Sequence, residues 1–554
     1  MVSATSCVSS RPVENRSRPP FRPCPSRSRA VPRPGHAQRA GRALLTALAA
    51  LGLTATATTG YADEAPFETV ELRVIGRPVQ VWPVELTGKC GPNTSDILVI
   101  SVSGGPPDES RVVTIFPCGR GVDDGAPAPI RVDVPADAMA LDVCDVDERP
   151  GGELVWLDHR GLTLVRPFGD APPRTIAIEG GLPLPPRQRQ VSRMPIVNDW
   201  DNDGRAKALV PTTSGGVIVD LATGESRPIE MPLVAQYDTW DPDLPARVRK
   251  LLIAMLHWPV LMRGDDDGDG RTDLFALTRW EIAIYHERGE GLPSEPSRRI
   301  PLRPFDEEAE LRFESTDVTY FATDVNGDDL TDLMLHRISG GFNNGLSETD
   351  FFFNARNASG QAGIDADREP DKQLRLEKGF SGIEPMDLDG DGRVELIESS
   401  VQFGIMQMVR VLLTRKAEIK VRVLTAADGG KLRESWSEDM VFKLNFGEGR
   451  VDGLMPTTEG DWNGDGRRDA LYQHSGDKLG VRLGKATDKG PGFTGKIAEQ
   501  PSKVSAGFLR VSDLDGDGLD DFVSYDPRDA AGRLYVSYNR GVLPGTTPRM
   551  VPAE

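Results

Sequence analysis

The amino-acid sequence predicts an all-β protein, a seven- or eight-bladed β-propeller of four-stranded blades. An acidic nine-residue pattern recurs at intervals of 52 to 74 residues, starting at positions 145, 199, 265, 324, 387, 461 and 513. Each interval holds short alternating strands and polar turns that amount to about four strands, the content of one propeller blade. The 58 glycines and 44 prolines suit many turns better than long helices.

Five copies of the pattern carry an oxygen-bearing side chain at positions 1, 3, 5 and 9. Their residues are Asp265, Asp267, Asp269 and Asp273; Asp324, Asn326, Asp328 and Asp332; Asp387, Asp389, Asp391 and Glu395; Asp461, Asn463, Asp465 and Asp469; and Asp513, Asp515, Asp517 and Asp521. Alternate residues of a tight loop point the same way, so these oxygens can converge on a hard cation, together with the main-chain carbonyl of position 7. Ca²⁺ fits better than Mg²⁺, which demands a stricter octahedron and keeps more water.

Two further copies are incomplete. The remaining acidic residues are Asp145, Asp147 and Glu153 in one copy and Asp199, Asp201 and Asp203 in the other. Arg149 stands at position 5 of the first copy, and Lys207 stands at position 9 of the second. We expect about five Ca²⁺ sites in the complete loops. Each incomplete loop is expected to hold either a further ion or a cationic side chain in its place.

The loop shares its front half with an EF-hand loop, but the rest of the pattern excludes that motif. An EF-hand needs a bidentate Glu at position 12 and flanking helices. Only one complete copy has Glu there, since position 12 is Ala276, Leu335, Glu398, Tyr472 and Ser524 in turn. The segments that follow, such as 274–277 and 522–525, have the alternation and β-branched or aromatic content of strands.

The repeated D-x-D/N-x-D-G-x-x-D loop between strands resembles the FG-GAP/VCBS repeats of integrin α-chain propellers and of many exported bacterial proteins. The resemblance covers about 141–540. It implies that each loop joins two neighbouring strands of one blade and binds Ca²⁺.

The region before the clear repeats predicts one more, degenerate blade. Strands are expected at 79–86, 97–102, 111–116 and 130–134, so the first blade spans about 65–134 and the clear repeats about 135–545. The last repeat ends soon after its third strand. Residues 67–75 could therefore supply its outer strand and close the ring without leaving a sheet edge open.

The N-terminal segment 1–62 is expected to be a signal peptide with a long basic n-region. Its first 42 residues carry nine Arg and no Lys, and the apolar run 43–57 is shorter than a bilayer span. The propeller, 63–554, would then be secreted, periplasmic or attached to the cell surface. No later segment predicts a transmembrane helix. Export permits a disulfide, and Cys90–Cys118 is the expected pair.

The sequence contains no HExxH, GxSxG or P-loop motif, so an enzyme is the less favoured interpretation. The net charge of −19 argues against a nucleic-acid partner. We expect a monomeric binding or adhesion module for an extracellular protein or glycan. The alternative is a carbohydrate-active or other hydrolytic or lyase enzyme that uses the central funnel of the ring. Insertions near 233–260, an expected helix or outer strand, and 400–450, an expected hairpin, are further candidate binding surfaces.

Overall fold

The computed structural model describes most of the chain from residue 65 onwards. The described ranges are 65–88, 94–105, 109–119, 127–147, 151–168, 171–179, 191–212, 215–239, 252–289, 291–303, 317–340, 344–402, 410–411, 413–427, 430–445, 450–475 and 477–546. The expected signal peptide, 1–62, lies outside these ranges.

Eight four-stranded blades form a ring, which confirms the propeller and selects the larger of the two predicted blade counts. Strand β1 (Phe67–Arg73) comes first in the chain and belongs to the last blade. Blade 1 consists of β2 (Arg77–Val84), β3 (Asp96–Ser103), β4 (Ser110–Phe116) and β5 (Ile130–Asp133), and blade 2 consists of β6 (Ala140–Cys144), β7 (Glu153–Asp158), β8 (Gly161–Val165) and β9 (Arg174–Ala177), joined by the short β10 (Ser192–Arg193). Blade 3 consists of β11 (Val197–Asn198), β12 (Lys207–Thr212), β13 (Gly215–Asp220) and β14 (Ser226–Ile229). After a separate hairpin of β15 (Val234–Thr239) and β16 (Leu252–His257), blade 4 consists of β17 (Val260–Gly264), β18 (Asp273–Leu277), β19 (Glu281–Tyr285) and β20 (Arg298–Pro301).

Blade 5 consists of β21 (Asp317–Thr323), β22 (Asp332–Ser339), β23 (Leu346–Phe352) and β24 (Lys372–Glu377), and blade 6 consists of β25 (Gly379–Met386), β26 (Glu395–Gln402), β27 (Lys416–Ala427) and β28 (Lys431–Asn445), followed by β29 (Arg450–Leu454). Blade 7 consists of β30 (Thr457–Gly460), β31 (Asp469–Ser475), β32 (Lys478–Arg482) and β35 (Ala498–Pro501), with a hairpin of β33 (Gly484–Thr487) and β34 (Gly490–Phe493) inserted. Blade 8 consists of β36 (Ala506–Ser512), β37 (Asp521–Tyr525), β38 (Arg533–Asn539) and β1. A single 3-10 turn, Pro117–Gly119, follows β4.

The ring closes through the two ends of the described chain. Strand β1 pairs antiparallel with β38, from Phe67 opposite Asn539 to Arg73 opposite Arg533. The first strands of neighbouring blades contact each other, as β2 does β36 and β17 does β21, which places the first strand of each blade on the inner side of the ring and β1 on the outside. The expected outer strand at 67–75 is thus present.

The hydrophobic core is divided among the blade interfaces. The described residues form eight buried clusters, and each joins two consecutive blades. One of them packs Leu72 and Val536 of blade 8 against Val81 and Ile97 of blade 1, and so seals the ring. The second strands β7 and β18 are buried along their whole length because a neighbouring blade covers each face.

The described residues of both insertions include a β-hairpin. In the first, β15 pairs with β16, so of the helix and the strand left open for 233–260 the described residues form strands, and this hairpin lies outside the four-stranded blades. In the second, the hairpin pairs β27 with β28. Residues 410, 411, 413 and 414, which precede this hairpin, are helical.

Cys118 is disulfide-bonded and Cys144 is a free, mostly buried thiol. Cys90, the expected partner of Cys118, lies outside the described ranges. Among the described residues no helix is long and apolar enough to cross a membrane.

Candidate metal centres

The acidic loops all occupy one position in the blade. Each connects the first strand to the second, and its ninth residue is the first residue of the second strand: Asp273 in β18, Asp332 in β22, Glu395 in β26, Asp469 in β31 and Asp521 in β37. The two incomplete loops follow the same rule with Glu153 in β7 and Lys207 in β12. The repeat therefore places seven loops at equivalent points of seven blades.

The first carboxylate of each loop organises the turn. In the loop 513–521, Asp513 accepts hydrogen bonds from the backbone N–H groups of Gly516 (2.7 Å) and Gly518 (3.0 Å). Both glycines have positive φ, 81° and 87°, which a residue with a side chain adopts at a cost. Asp265, Asp324 and Asp387 accept from the N–H groups of the same two loop positions, 4 and 6. Asp199 and Asp461 accept from positions 5 and 6.

The ninth carboxylate ties the loop to the rest of the blade. Asp521 accepts the N–H of Leu514 at 2.9 Å on one oxygen and the N–H of Asn539, at the end of β38, at 2.7 Å on the other. Asp273, Asp332 and Asp469 make the same pair of bonds with their own loop and third strand. These carboxylates are buried, with exposed fractions of 1% or less.

Burial and the neighbouring carboxylates raise the pKa of every ninth residue in the complete loops. The pKa values are about 8 for Asp521 and Asp469, about 7 for Asp332 and Glu395, and about 6 for Asp273. Loss of water around the charged form is the largest cause in each case, and repulsion from carboxylates at positions 1, 3 or 5 adds to it. A cation among these oxygens would remove the repulsion.

The oxygens converge in several loops. Three carboxylate oxygens lie within 4.8 Å of one another in each of four sets: Asp199, Asp201 and Asp203; Asp265, Asp267 and Asp269; Asp387, Asp389 and Glu395; and Asp513, Asp515 and Asp521. In the two remaining complete loops the residue at position 3 has a neutral amide side chain, Asn326 or Asn463.

Position 3 of the loop supplies independent evidence for a metal site. Within the part of the chain that the structure describes, the Oδ1 atoms of Asp267, Asn326 and Asp389 are each buried without a hydrogen-bond partner. An unpaired buried oxygen is costly, and a bound ion would satisfy it. The donors are oxygens only, as Ca²⁺ and Mg²⁺ require. The residues present therefore fit a hard divalent cation.

Cationic side chains occupy the two incomplete loops. The ammonium of the buried Lys207 contacts Asp201 and Asp203, the latter at 2.5 Å. In the loop 145–153, Arg166, which directly follows β8 of the same blade, donates to Glu153 (3.0 Å) and to Asp147 (2.8 Å). Arg149, considered for that place in the sequence, lies outside the described residues. A fixed positive charge thus lies where the complete loops leave room for an ion.

The degenerate first blade retains one element of the loop that the sequence pattern did not reveal. Asp96 opens β3 and accepts the N–H groups of Leu86 (2.9 Å) and Thr87 (2.6 Å), as well as that of Cys118 (3.0 Å) after the third strand. These are the contacts of a ninth carboxylate. The ninth carboxylate is therefore present without the rest of the acidic pattern, and Asp96 is recognisable only from its place at the start of the strand.

Consecutive loops are bonded to each other. The N–H of the eighth residue donates to a carbonyl of the preceding blade's loop, from Thr331 to Asp265 (2.8 Å), from Arg468 to Leu388 (2.8 Å) and from Asp520 to Asp461 (3.3 Å). Two asparagines at the ends of third strands add a side-chain bond: Asn354 donates to the Asp266 carbonyl (2.7 Å) and Asn539 to the Trp462 carbonyl (2.8 Å). The role of these two asparagines was not predicted from the sequence, where each directly follows an aromatic residue near the end of a strand.

The histidines near the loops have local partners. His336 is buried between the Thr349 hydroxyl and the Ser381 carbonyl, both at 2.8 Å, and burial lowers its pKa. His159 contacts Asp137, and His474 lies 3.4 Å from Glu499. Each therefore has a structural role within its own or the next blade.

The inner strands carry a few charged and aromatic side chains. The Trp82 ring lies between the guanidinium groups of Arg510 (4.6 Å from the ring centroid) and Arg193 (5.4 Å). Further around the ring, burial and the charge of Glu459 raise the pKa of Glu384.

No family model and no curated protein sequence matches this sequence. Solved structures do align with it, and two of them are described here. One is an Agrocybe aegerita lectin described for specific recognition of non-reducing terminal N-acetylglucosamine, with 12% identity over 84% of this chain and 96% of that chain and a TM-score of 0.34. The other is a complex of fission yeast SREBP–SCAP binding domains, with 12% identity over 63% of this chain and 78% of that chain and a TM-score of 0.26. At these values neither alignment carries an argument about function.

Proposed function

We propose that the protein is an exported, calcium-stabilised propeller of the FG-GAP/VCBS type that acts as a binding or adhesion module for a protein or glycan ligand. The observation that carries the calcium part is the ninth-position carboxylate. Five such groups are buried beside two or three further oxygen ligands, with pKa values raised to between about 6 and about 8. An ion would convert this repulsion into attraction.

The choice of Ca²⁺ rests on the ligand set. Each complete loop offers four side-chain oxygens, and Ca²⁺ accepts six to eight oxygens in irregular geometry, whereas Mg²⁺ requires a near-ideal octahedron. Bound calcium would hold the first two strands of a blade in register. Because consecutive loops are hydrogen-bonded, it would also hold neighbouring blades together.

The binding role follows from what surrounds the loops. The ninth carboxylates and Asn539 are engaged in holding the blades, so the acidic residues serve architecture. A rigid ring that displays loops at its faces is suited to recognition of another molecule.

The second candidate is an enzyme that uses the central funnel. One observation favours it: Glu384 and Glu459 lie on the neighbouring inner strands β25 and β30, and burial together with the charge of Glu459 raises the pKa of Glu384. A carboxylic acid with a raised pKa near a second carboxylate is the arrangement of acid–base catalysis on glycosidic bonds.

The experiment has two stages. Metal analysis and melting of the purified protein with Ca²⁺, with Mg²⁺ and with EDTA should show about five bound Ca²⁺ and a lower melting temperature after chelation. Melting that is unaffected by EDTA, with no bound metal, would refute calcium stabilisation. Glycan and protein arrays then test recognition, and product formation from an arrayed glycan that Glu384→Gln abolishes would replace the binding role with the enzymatic one.

A further inference from the structure

A cavity opens beside the acidic loop of blade 4. The cavity has a volume of about 980 Å³ and lies between the loop 265–273 of blade 4 and the segment 353–371 of blade 5, which connects β23 to β24. Two of the expected metal ligands, Asp267 and Asp269, line it. An ion held by this loop would therefore border the cavity.

The blade 5 segment is fixed against the loop. The Asn354 amide donates to the Asp266 carbonyl (2.7 Å), and the Ile364 N–H donates to the Asp266 carboxylate (2.9 Å). Asp266 is fully buried and also accepts a bond from Arg298 at 2.5 Å. The cavity wall is thus held in place by a buried polar network, as a preformed site requires.

Two arginines of the wall could pair with an anion once calcium neutralises the loop carboxylates, two of which, Asp267 and Asp269 (3.9 Å), Arg288 contacts. Arg356 donates to the carbonyls of Gly268 (2.7 Å) and Gly360 (3.4 Å), and within the described residues no carboxylate pairs with it. Gly268 permits this approach, since a Cβ there would overlap the Arg356 guanidinium. Arg288 lies 3.0 Å from Asp267, a carboxylate that a bound calcium ion would neutralise.

We propose that this cavity binds a small carboxylate-bearing ligand, whose carboxylate contacts both the calcium ion of the loop 265–273 and the guanidinium groups of Arg288 and Arg356. The inference rests on the proposed calcium binding. Ca²⁺ takes more oxygens than the loop supplies, and arginine pairs with a carboxylate through two parallel hydrogen bonds.

The two binding events are then linked, so the ligand must tighten calcium at this one site. Calcium is titrated calorimetrically into metal-free protein alone and with glucuronate, glutarate, glucose or inorganic phosphate. Glucuronate and glutarate share the carboxylate, and glucose shares only the hydroxyls of glucuronate. We expect both carboxylates to tighten one calcium site by about fivefold or more. Glucose should leave it unchanged.

Variants locate the effect. Arg356→Ala should abolish most of the tightening while the number of bound calcium ions stays the same, and Asp267→Ala should remove this calcium and the tightening together. The matched control is Arg528→Ala, an exposed arginine of blade 8 that pairs with Asp526 away from the cavity. It should keep the full effect.

The outcomes separate the two proposals. A protein that binds no calcium contradicts the proposed function. A protein that binds calcium with unchanged affinity in glucuronate and glutarate contradicts only the carboxylate site. Equal tightening by glucose, tightening by phosphate alone, or an effect that survives in Arg356→Ala would also overturn it.

Discussion

Calcium should reverse the pH dependence of stability. Without metal, the ninth carboxylates are protonated in the folded protein at pH values where the unfolded chain has already released those protons. A folded pKa above the unfolded value stabilises the protein at low pH, and the contribution is lost as pH rises towards the folded pKa. The metal-free protein should therefore become less stable between pH 5 and pH 8.

The size of the effect follows from the two most shifted groups. Asp469 and Asp521 have pKa values of about 8, against 3.8 for an unperturbed Asp. In that window each group lowers the free energy of unfolding by about 1.4 kcal/mol per pH unit, so the pair lowers it by about 5 kcal/mol between pH 5 and pH 7. Calcium binds the ionised carboxylates, so its stabilisation should grow over the same range.

Urea unfolding at a series of pH values, in EDTA and in excess Ca²⁺, measures both slopes. Asp521→Asn keeps a hydrogen-bond acceptor but cannot ionise, so it should reduce the slope in EDTA by about 1.4 kcal/mol per pH unit. A free energy of unfolding in EDTA that is flat or rises from pH 5 to pH 7 would refute the assignment of these carboxylates as crowded, metal-seeking groups.

Three further perturbations test the architecture. Lys207→Asp restores the ninth carboxylate of the loop 199–207 and should add one bound Ca²⁺ per protein by metal analysis; an unchanged count would show that the lysine is not what occupies the ion's place. Asn539→Ala leaves the buried Trp462 carbonyl without its bond and should cost about 1–3 kcal/mol in urea unfolding, whereas exposed Asn357→Ala should cost less. Phe67→Ala removes a ring that packs edge-on against Trp462 and Phe522 and should cost about 3–5 kcal/mol, and a smaller loss would mean that β1 contributes little to closure.

The fold could be predicted because each repeat carries recognisable residue types at fixed positions. The acidic loop marks the turn between the first two strands of seven blades, and the apolar run after it marks the buried second strand. Blade 1, the blade without the acidic pattern, was predicted from strand-like alternation alone. Its Asp96, which makes the contacts of a ninth carboxylate, could not be distinguished from any other aspartate, because one carboxylate without its neighbours carries no pattern.

Contacts between blades could not be predicted in the same way. The bond from Asn539 to Trp462 spans 77 residues, and that from Asn354 to Asp266 spans 88, so only the ring geometry brings these residues together. The occupation of the 145–153 loop by Arg166 is a contact within one blade, and it depends on the pairing of β7 with β8, which brings the guanidinium beside the loop. The helix considered for 233–260 failed because its apolar residues also suit a strand, and periodicity alone does not separate the two.

The pairing of β1 with β38 has a consequence for how the chain reaches its folded state. Thr69 and Ser537, whose hydroxyls are 2.9 Å apart, are separated by 468 residues. Contacts of such sequence separation form late, because the loop between their ends must close first. During synthesis β1 emerges early and waits for its partner, so the outer strand of blade 8 is the last to be assembled. Until then both ends of the array present unpaired strand edges, which are the parts of the protein most exposed to aggregation and proteolysis.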